Sequence, residues 1–154
     1  MIVYFAYGSN MSRSLMSMRC PAATALGIAT LRGWRFFVNP DGYGSIARRP
    51  GGIVRGVLWR LTLRDLAAVH AYESLDSGLY LRGAVTLRHG GCCVRAFTYI
   101  ARRKGNGRPR PGYITAVVDA AREWEMPAAY IHALQRWSPS AWRGARMKET
   151  GELA

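Results

Sequence analysis

The sequence predicts an α+β protein, a small barrel of mixed strands with flanking α-helices. Three observations predict it. Short apolar segments rich in β-branched and aromatic residues follow one another from residue 2 to residue 101, separated by glycine-rich turns. A single amphipathic segment, residues 62–72, interrupts them. Two segments with helical spacing then close the ordered part of the chain. Closely spaced hairpins favour a mixed or antiparallel sheet that curves or closes, with the helices outside. The 154 residues, 49% of them hydrophobic, are enough for one core, and no repeat or linker divides them. One domain is expected over residues 1–154, with 147–154 as a flexible tail.

The elements follow in order. Residues 2–7 read as a buried strand that breaks at Gly8-Ser9-Asn10. Gly8 permits close approach of a ligand to the backbone, and Ser9 and Asn10 are both good N-caps for a short helix over 11–19. Strand, glycine turn and helix start aim backbone N–H groups at one point, which suits a carboxylate or an oxyanion. The same pattern also describes an ordinary strand–turn–helix junction. Pro21 stops the helix. Residues 25–40 alternate loosely and read as one or two strands, and 39–44 form a turn cluster. A short strand at 45–49 is expected to turn at Pro50-Gly51-Gly52 into a strand at 53–61. Gly56 inside that strand signals a bulge or a close backbone approach.

Thr62 is a plausible N-cap for the first helix, with Asp65 three residues on. Ser77-Gly78 ends that region. Strands at 80–87 and 92–101 flank a hairpin turn at His89-Gly90-Gly91, and a polar loop covers 102–112. Tyr113, Val117, Ala121 and Trp124 recur at helical spacing. Pro127 opens a last helix with the stripe Tyr130, Ile131, Leu134 and Trp137, ended by Ser138-Pro139-Ser140. Both stripes read as core packing.

Charge and cysteine content bound the chemistry. Twenty-two Lys and Arg against nine Asp and Glu give a net charge of +13. Such a balance attracts nucleic acid, anionic membrane or acidic small molecules. The arginines are scattered, however, and the nearest thing to a patch, residues 102–110, reads first as a solvated loop. Cys20, Cys92 and Cys93 form no CxxC pair and no disulfide framework, so a reducing, cytoplasmic setting is expected. No apolar run reaches membrane-spanning length.

Among the acids, Glu73 stands apart. It lies seven residues after Leu66 and four after Val69, on the apolar stripe of its helix. A carboxylate there is costly unless paired or protonated, and its pKa should rise. A raised-pKa carboxylate at the mouth of a fold suits general acid/base work. The competing reading is a helix-end Glu that reaches solvent or an arginine. His70, His89 and His132 assemble no site, and His70 with Glu73 supplies too few ligands for a metal. Ser9 lacks the Gly-x-Ser-x-Gly context of a serine hydrolase, and neither GxGxxG nor a Walker lysine is present.

Together these residues resemble the γ-glutamylcyclotransferase-like family, which includes γ-glutamylamine cyclotransferases and AIG2-like proteins. Tyr4-Phe5-Ala6-Tyr7-Gly8-Ser9-Asn10 is similar to the family's signature. Gly44-Ser45-Ile46-Ala47 and the strand from Val54 to Trp59 are similar to its middle strands. Glu73 followed by Ser77-Gly78-Leu79-Tyr80 has the family's acid-to-tyrosine spacing. Tyr99 falls where the family carries a tyrosine. Pro111-Gly112-Tyr113, with Ala120 to Glu123, Met126-Pro127 and Tyr130, resembles its C-terminal helices.

The resemblance implies a mixed-strand barrel and an intramolecular aminolysis. The α-amino group of a γ-glutamyl compound attacks its own γ-carbonyl, releasing 5-oxoproline and an amine or amino acid, with no metal or organic cofactor. Glu73 is implied as the general acid/base. Tyr4, Phe5, Ala6, Tyr7, Gly8, Ser9 and Asn10, with Tyr80, Tyr99 and Tyr113, are implied around the substrate. Backbone N–H groups near Tyr7, Gly8 and Ser9 would hold its carboxylate or oxyanion, and the basic loop could favour an acidic substrate. The expected partner is a small γ-glutamyl molecule, without membrane or nucleic acid, and the chain is expected as a monomer or homodimer. Two alternatives stay open: removal of a γ-glutamyl protecting group from a biosynthetic intermediate, and a non-catalytic basic binding module.

Overall fold

The computed structural model of the chain describes residues 1–73 and 79–139. Five strands close a barrel in the order β1 (Ile2–Ala6), β3 (Gly44–Leu61), β2 (Thr24–Val38), β4 (Tyr80–His89) and β5 (Cys92–Ala101). Neighbours are antiparallel except at the closing seam, where β5 runs parallel to β1 with Tyr4 opposite Phe97. Four helices flank it: α1 (Arg13–Arg19), α2 (Leu63–Tyr72), α3 (Tyr113–Glu123) and α4 (Ala128–Gln135). The expected fold class is the one observed.

Strand alternation divides the apolar residues between two cores. Val3, Phe5 and Tyr7 join Leu31, Val54, Leu58, Val85 and Leu87 in one cluster made of strand residues, which fills the barrel. Tyr4 and Ala6, with Trp59, Phe97 and Tyr99, face the other way and pack against Met16, Val69, Val117 and Ala121 of the helices. Gly56 is where β3 passes under β1. A Cβ there would lie 2.3 Å from the Ala6 carbonyl oxygen, so the close approach expected at this glycine is present.

Two local expectations are corrected, and one open alternative is decided. The helix after the first strand begins at Arg13, capped by Ser12, whose hydroxyl accepts from the Leu15 N–H at 3.3 Å. Ser9 and Asn10 are not its caps, because Ser9–Met11 form a separate 3-10 turn that frees both side chains. Residues 24–38 make one strand, β2, kept continuous by register shifts at Ala25/Gly27 and Arg32/Trp34. Pro50-Gly51-Gly52 do not reverse the chain. Arg48 pairs with Trp34 and Ile53 with Arg32, so the segment between bows out opposite Gly33 and the same strand resumes.

Elsewhere the local chemistry gives the elements expected of it. Thr62 and Asp65 form a full capping box at the start of α2. Gly90 and Gly91, at φ of 55° and 79°, make the hairpin between β4 and β5. Pro127 sits at the N-cap of α4, one residue before its first turn. The expected break at Ser77-Gly78, the last residue of Ser138-Pro139-Ser140 and the tail 147–154 lie outside the described residues.

Candidate active site

A cavity of about 240 Å³ opens where the end of β1 meets α2, β4, β5 and the start of α3. Glu73 is at its wall. It terminates α2, its own N–H bonding back to Val69 O at 2.9 Å. Among the described residues of the lining, Glu73 is the only acid. Burial pushes its carboxyl from the ordinary 4.5 up to about 7, against the opposing pull of the Arg19 guanidinium and of a hydrogen bond from Tyr4.

The signature segment places its residues on two sides. Tyr4, on the outer face of β1, turns its ring into the site, and Asn10 is held there by the 3-10 turn. Asn10 Nδ2 donates to Tyr4 Oη at 3.2 Å and to Glu73 Oε1 at 3.4 Å. The turn is anchored from outside by Trp124, whose indole N–H donates to Met11 O at 2.7 Å. Tyr7, Gly8 and Ser9 also line the cavity. Phe5 and Ala6 do not: Phe5 points into the barrel and Ala6 is buried under the helices.

Tyrosines make most of the remaining wall. Tyr7 Oη donates to the Tyr99 carbonyl, and Tyr80 Oη donates to Gly44 O at 3.2 Å. Tyr99 Oη shares a 2.8 Å hydrogen bond with His70 Nδ1, so His70 enters the site through Tyr99. Tyr113 opens α3, and its hydroxyl lies over Gly8 and Gly44. A Cβ at those glycines would approach it to 2.7 and 2.6 Å. Burial raises the hydroxyls of Tyr4, Tyr7, Tyr80, Tyr99 and Tyr113 well above their ordinary value. At neutral pH all five are protonated donors.

Sequence reasoning missed Tyr43, Tyr72 and Arg19 here, and named Arg110 only as part of the basic loop. Tyr43 and Tyr72 line the cavity, and nothing but aromatic character marked them. Arg110 reaches its rim from the loop 102–112, held by its Nε donating to Asp41 O at 3.1 Å and by the ring of Tyr43 4.8 Å away. Arg19 donates to Asn10 Oδ1 and stacks on Tyr72, 3.5 Å from the ring centroid. A cation in the last turn of a helix is so ordinary that its sequence position carried no signal. The rest of the loop is largely exposed, with Arg103 paired to Asp41 at 2.8 Å.

Among the described residues, no three His, Cys, Asp or Glu side chains gather as metal ligands, and no helix is long and apolar enough to cross a membrane. A tyrosine-walled cavity with one carboxylate raised towards neutrality is equipped to move a proton on a small polar substrate.

Comparison with known proteins bears on that chemistry. The family described as "Gamma-glutamyl cyclotransferase, AIG2-like" matches residues 4–125. The gamma-glutamylcyclotransferase of Bos taurus is 28% identical over 162 residues, spanning 98% of this chain and 86% of that protein. The Homo sapiens protein of the same name is 26% identical over a similar span. A solved structure titled "Gamma-glutamyl cyclotransferase" superposes with a TM-score of 0.80 at 26% identity, over 87% of this chain and 86% of that one. The family match takes in Tyr4, Asn10, Glu73 and Tyr113 together, and the chain belongs to the γ-glutamyl cyclotransferase, AIG2-like family.

Proposed function

We propose that the protein cyclises a γ-glutamyl amino acid, peptide or amine to 5-oxoproline, with Glu73 as its general acid/base. The observation that carries this reading is the buried Glu73 carboxyl, raised to about 7 at the wall of the cavity.

The chemistry balances without a co-reactant. The substrate's α-ammonium gives a proton to the Glu73 carboxylate, and the freed amine attacks the γ-carbonyl carbon. The new C–N bond closes the five-membered ring and the carbonyl oxygen becomes an oxyanion. Glu73 hands that proton to the departing nitrogen and takes the surplus proton from the ring nitrogen. The oxyanion re-forms the carbonyl as the exocyclic C–N bond breaks. The released amine carries the second proton away as an ammonium, leaving Glu73 a carboxylate again. A carboxyl near 7 accepts from an ammonium and donates to an amine within one cycle at neutral pH. Because both reacting groups belong to one molecule, the site's main task is to hold the folded conformer. The first-turn N–H groups at Gly8 and Ser9 supply donors for the substrate carboxylate and the oxyanion.

The test is 5-oxoproline release from a panel of γ-glutamyl amino acids, peptides and amines, wild type beside Glu73→Gln. The variant should lose about 10²- to 10⁴-fold in kcat. Wild-type turnover in Glu73→Gln would remove the reading. The preferred leaving group across the panel separates general turnover from the unmasking of a protected amine.

A further inference from the structure

The amide of Asn10 stands between a cation and the Glu73 carboxylate, and its orientation is dictated by what each neighbour can do. Arg19 Nη1 donates to Asn10 Oδ1. A guanidinium has donors and no acceptor, so only the amide oxygen can face it. That turns Nδ2 towards Glu73 Oε1 at 3.4 Å and Tyr4 Oη at 3.2 Å. A flipped amide would set donors against donors at Arg19 and a lone pair against the carboxylate. Asn10 is only 3% exposed, so water offers it little alternative. Arg19 is itself fixed on its far side by the Tyr72 ring.

We propose that Arg19 is a positioning residue for Glu73 that acts through Asn10, locking the amide so that Nδ2 donates to the carboxylate that exchanges the substrate's proton. This rests on the role given to Glu73 above. The groups that face Glu73 electrostatically are Arg19 from α1, Tyr4 and Tyr7 from β1 and its end, Tyr80 from β4, Tyr99 from β5 and Tyr113 from α3. His70 is bonded to Tyr99, and Arg110 stands at the rim. The tyrosines stay protonated around neutrality, so among the described residues the charge that acts on Glu73 there is the Arg19 guanidinium.

The test follows the ionisation of Glu73 in wild type, R19M, R19K, N10A and the R19M/N10A double variant. One readout is the acidic limb of kcat/KM for 5-oxoproline release. The other needs no turnover: it is the pH at which the gap in thermal midpoint between each background and the same background carrying Glu73→Gln stops widening as pH rises. In R19M both should move up from about 7 by about one pH unit. R19K should fall between, since an ammonium keeps the charge and loses the planar fork. N10A should shift the same way, and the double variant by less than the sum of the single shifts, because both break one bond. An R19M protein whose two readouts stay near 7 overturns the proposal. So does a fully additive double variant. A wild type that releases no 5-oxoproline, alongside stability readouts that still move in R19M and N10A and by less than their sum in the double variant, overturns the function and supports the Arg19–Asn10–Glu73 link.

Discussion

Tyr4 illustrates how one side chain of the site does two things at once. Its hydroxyl accepts from Asn10 and bonds to Glu73, and its ring packs on Phe97 with centroids 5.3 Å apart. Tyr4→Phe keeps the packing and removes the oxygen. Without that hydrogen bond the Glu73 carboxyl should rise further, so the acidic limb of kcat/KM moves to higher pH, and kcat/KM at pH 7 falls about tenfold. Rate profiles between pH 5 and 9 check both. Glu73 itself was legible in the sequence, because its spacing from Leu66 and Val69 put a carboxylate on an apolar stripe. Its partners were not. Asn10 and Glu73 are 63 residues apart, and a hydrogen bond across that distance depends on how β1 and α2 are brought together. Asn10 read as a helix cap because its type suits that role, and the cap went to Ser12 instead.

At the scale of elements, α2 and the turn after β1 aim the site. Thr62→Ala breaks the capping box that starts α2 and should cost about 1 kcal/mol in denaturant unfolding. The acidic limb should stay near 7, since the helix end that carries Glu73 is untouched. Gly8→Ala acts differently. Its Cβ would come within 2.7 Å of the Tyr113 hydroxyl, so the ring must swing away. KM should rise about tenfold, and adding Tyr113→Phe should recover most of the loss by removing the clashing oxygen. Capping residues, the Gly90-Gly91 hairpin and Gly56 could be read in advance because each is a local signal. The segment at Pro50 misled because proline and glycine mark a turn and a bowed strand equally well, and only the pairing on either side distinguishes them.

For the whole molecule, the Glu73 carboxyl ties stability to pH, and sets a trade between stability and the proposed activity. Glu73 binds its proton more tightly folded than unfolded, so the protonated form favours the native state. That stabilisation is complete below about 4.5 and is lost as pH rises through about 7. The gap between those values amounts to about 3 kcal/mol. Glu73→Gln, which carries no charge to desolvate, should therefore melt higher than wild type at pH 8 and converge with it near pH 4. Calorimetry across that range decides it. The barrel was legible from strand spacing, and the parallel closing seam was not, because no local pattern distinguishes a first strand paired with the last from one left at an edge.

The two-sidedness of β1 has a consequence for how the protein can fail. Phe5 fills the barrel while its neighbour Tyr4 builds the site. Shifting this strand by one residue would exchange the two, so no slipped state could keep a full core while losing the site. Misassembly and inactivity are thereby coupled. In a refolding experiment, the yield of catalytic units should track the yield of native aromatic fluorescence one for one.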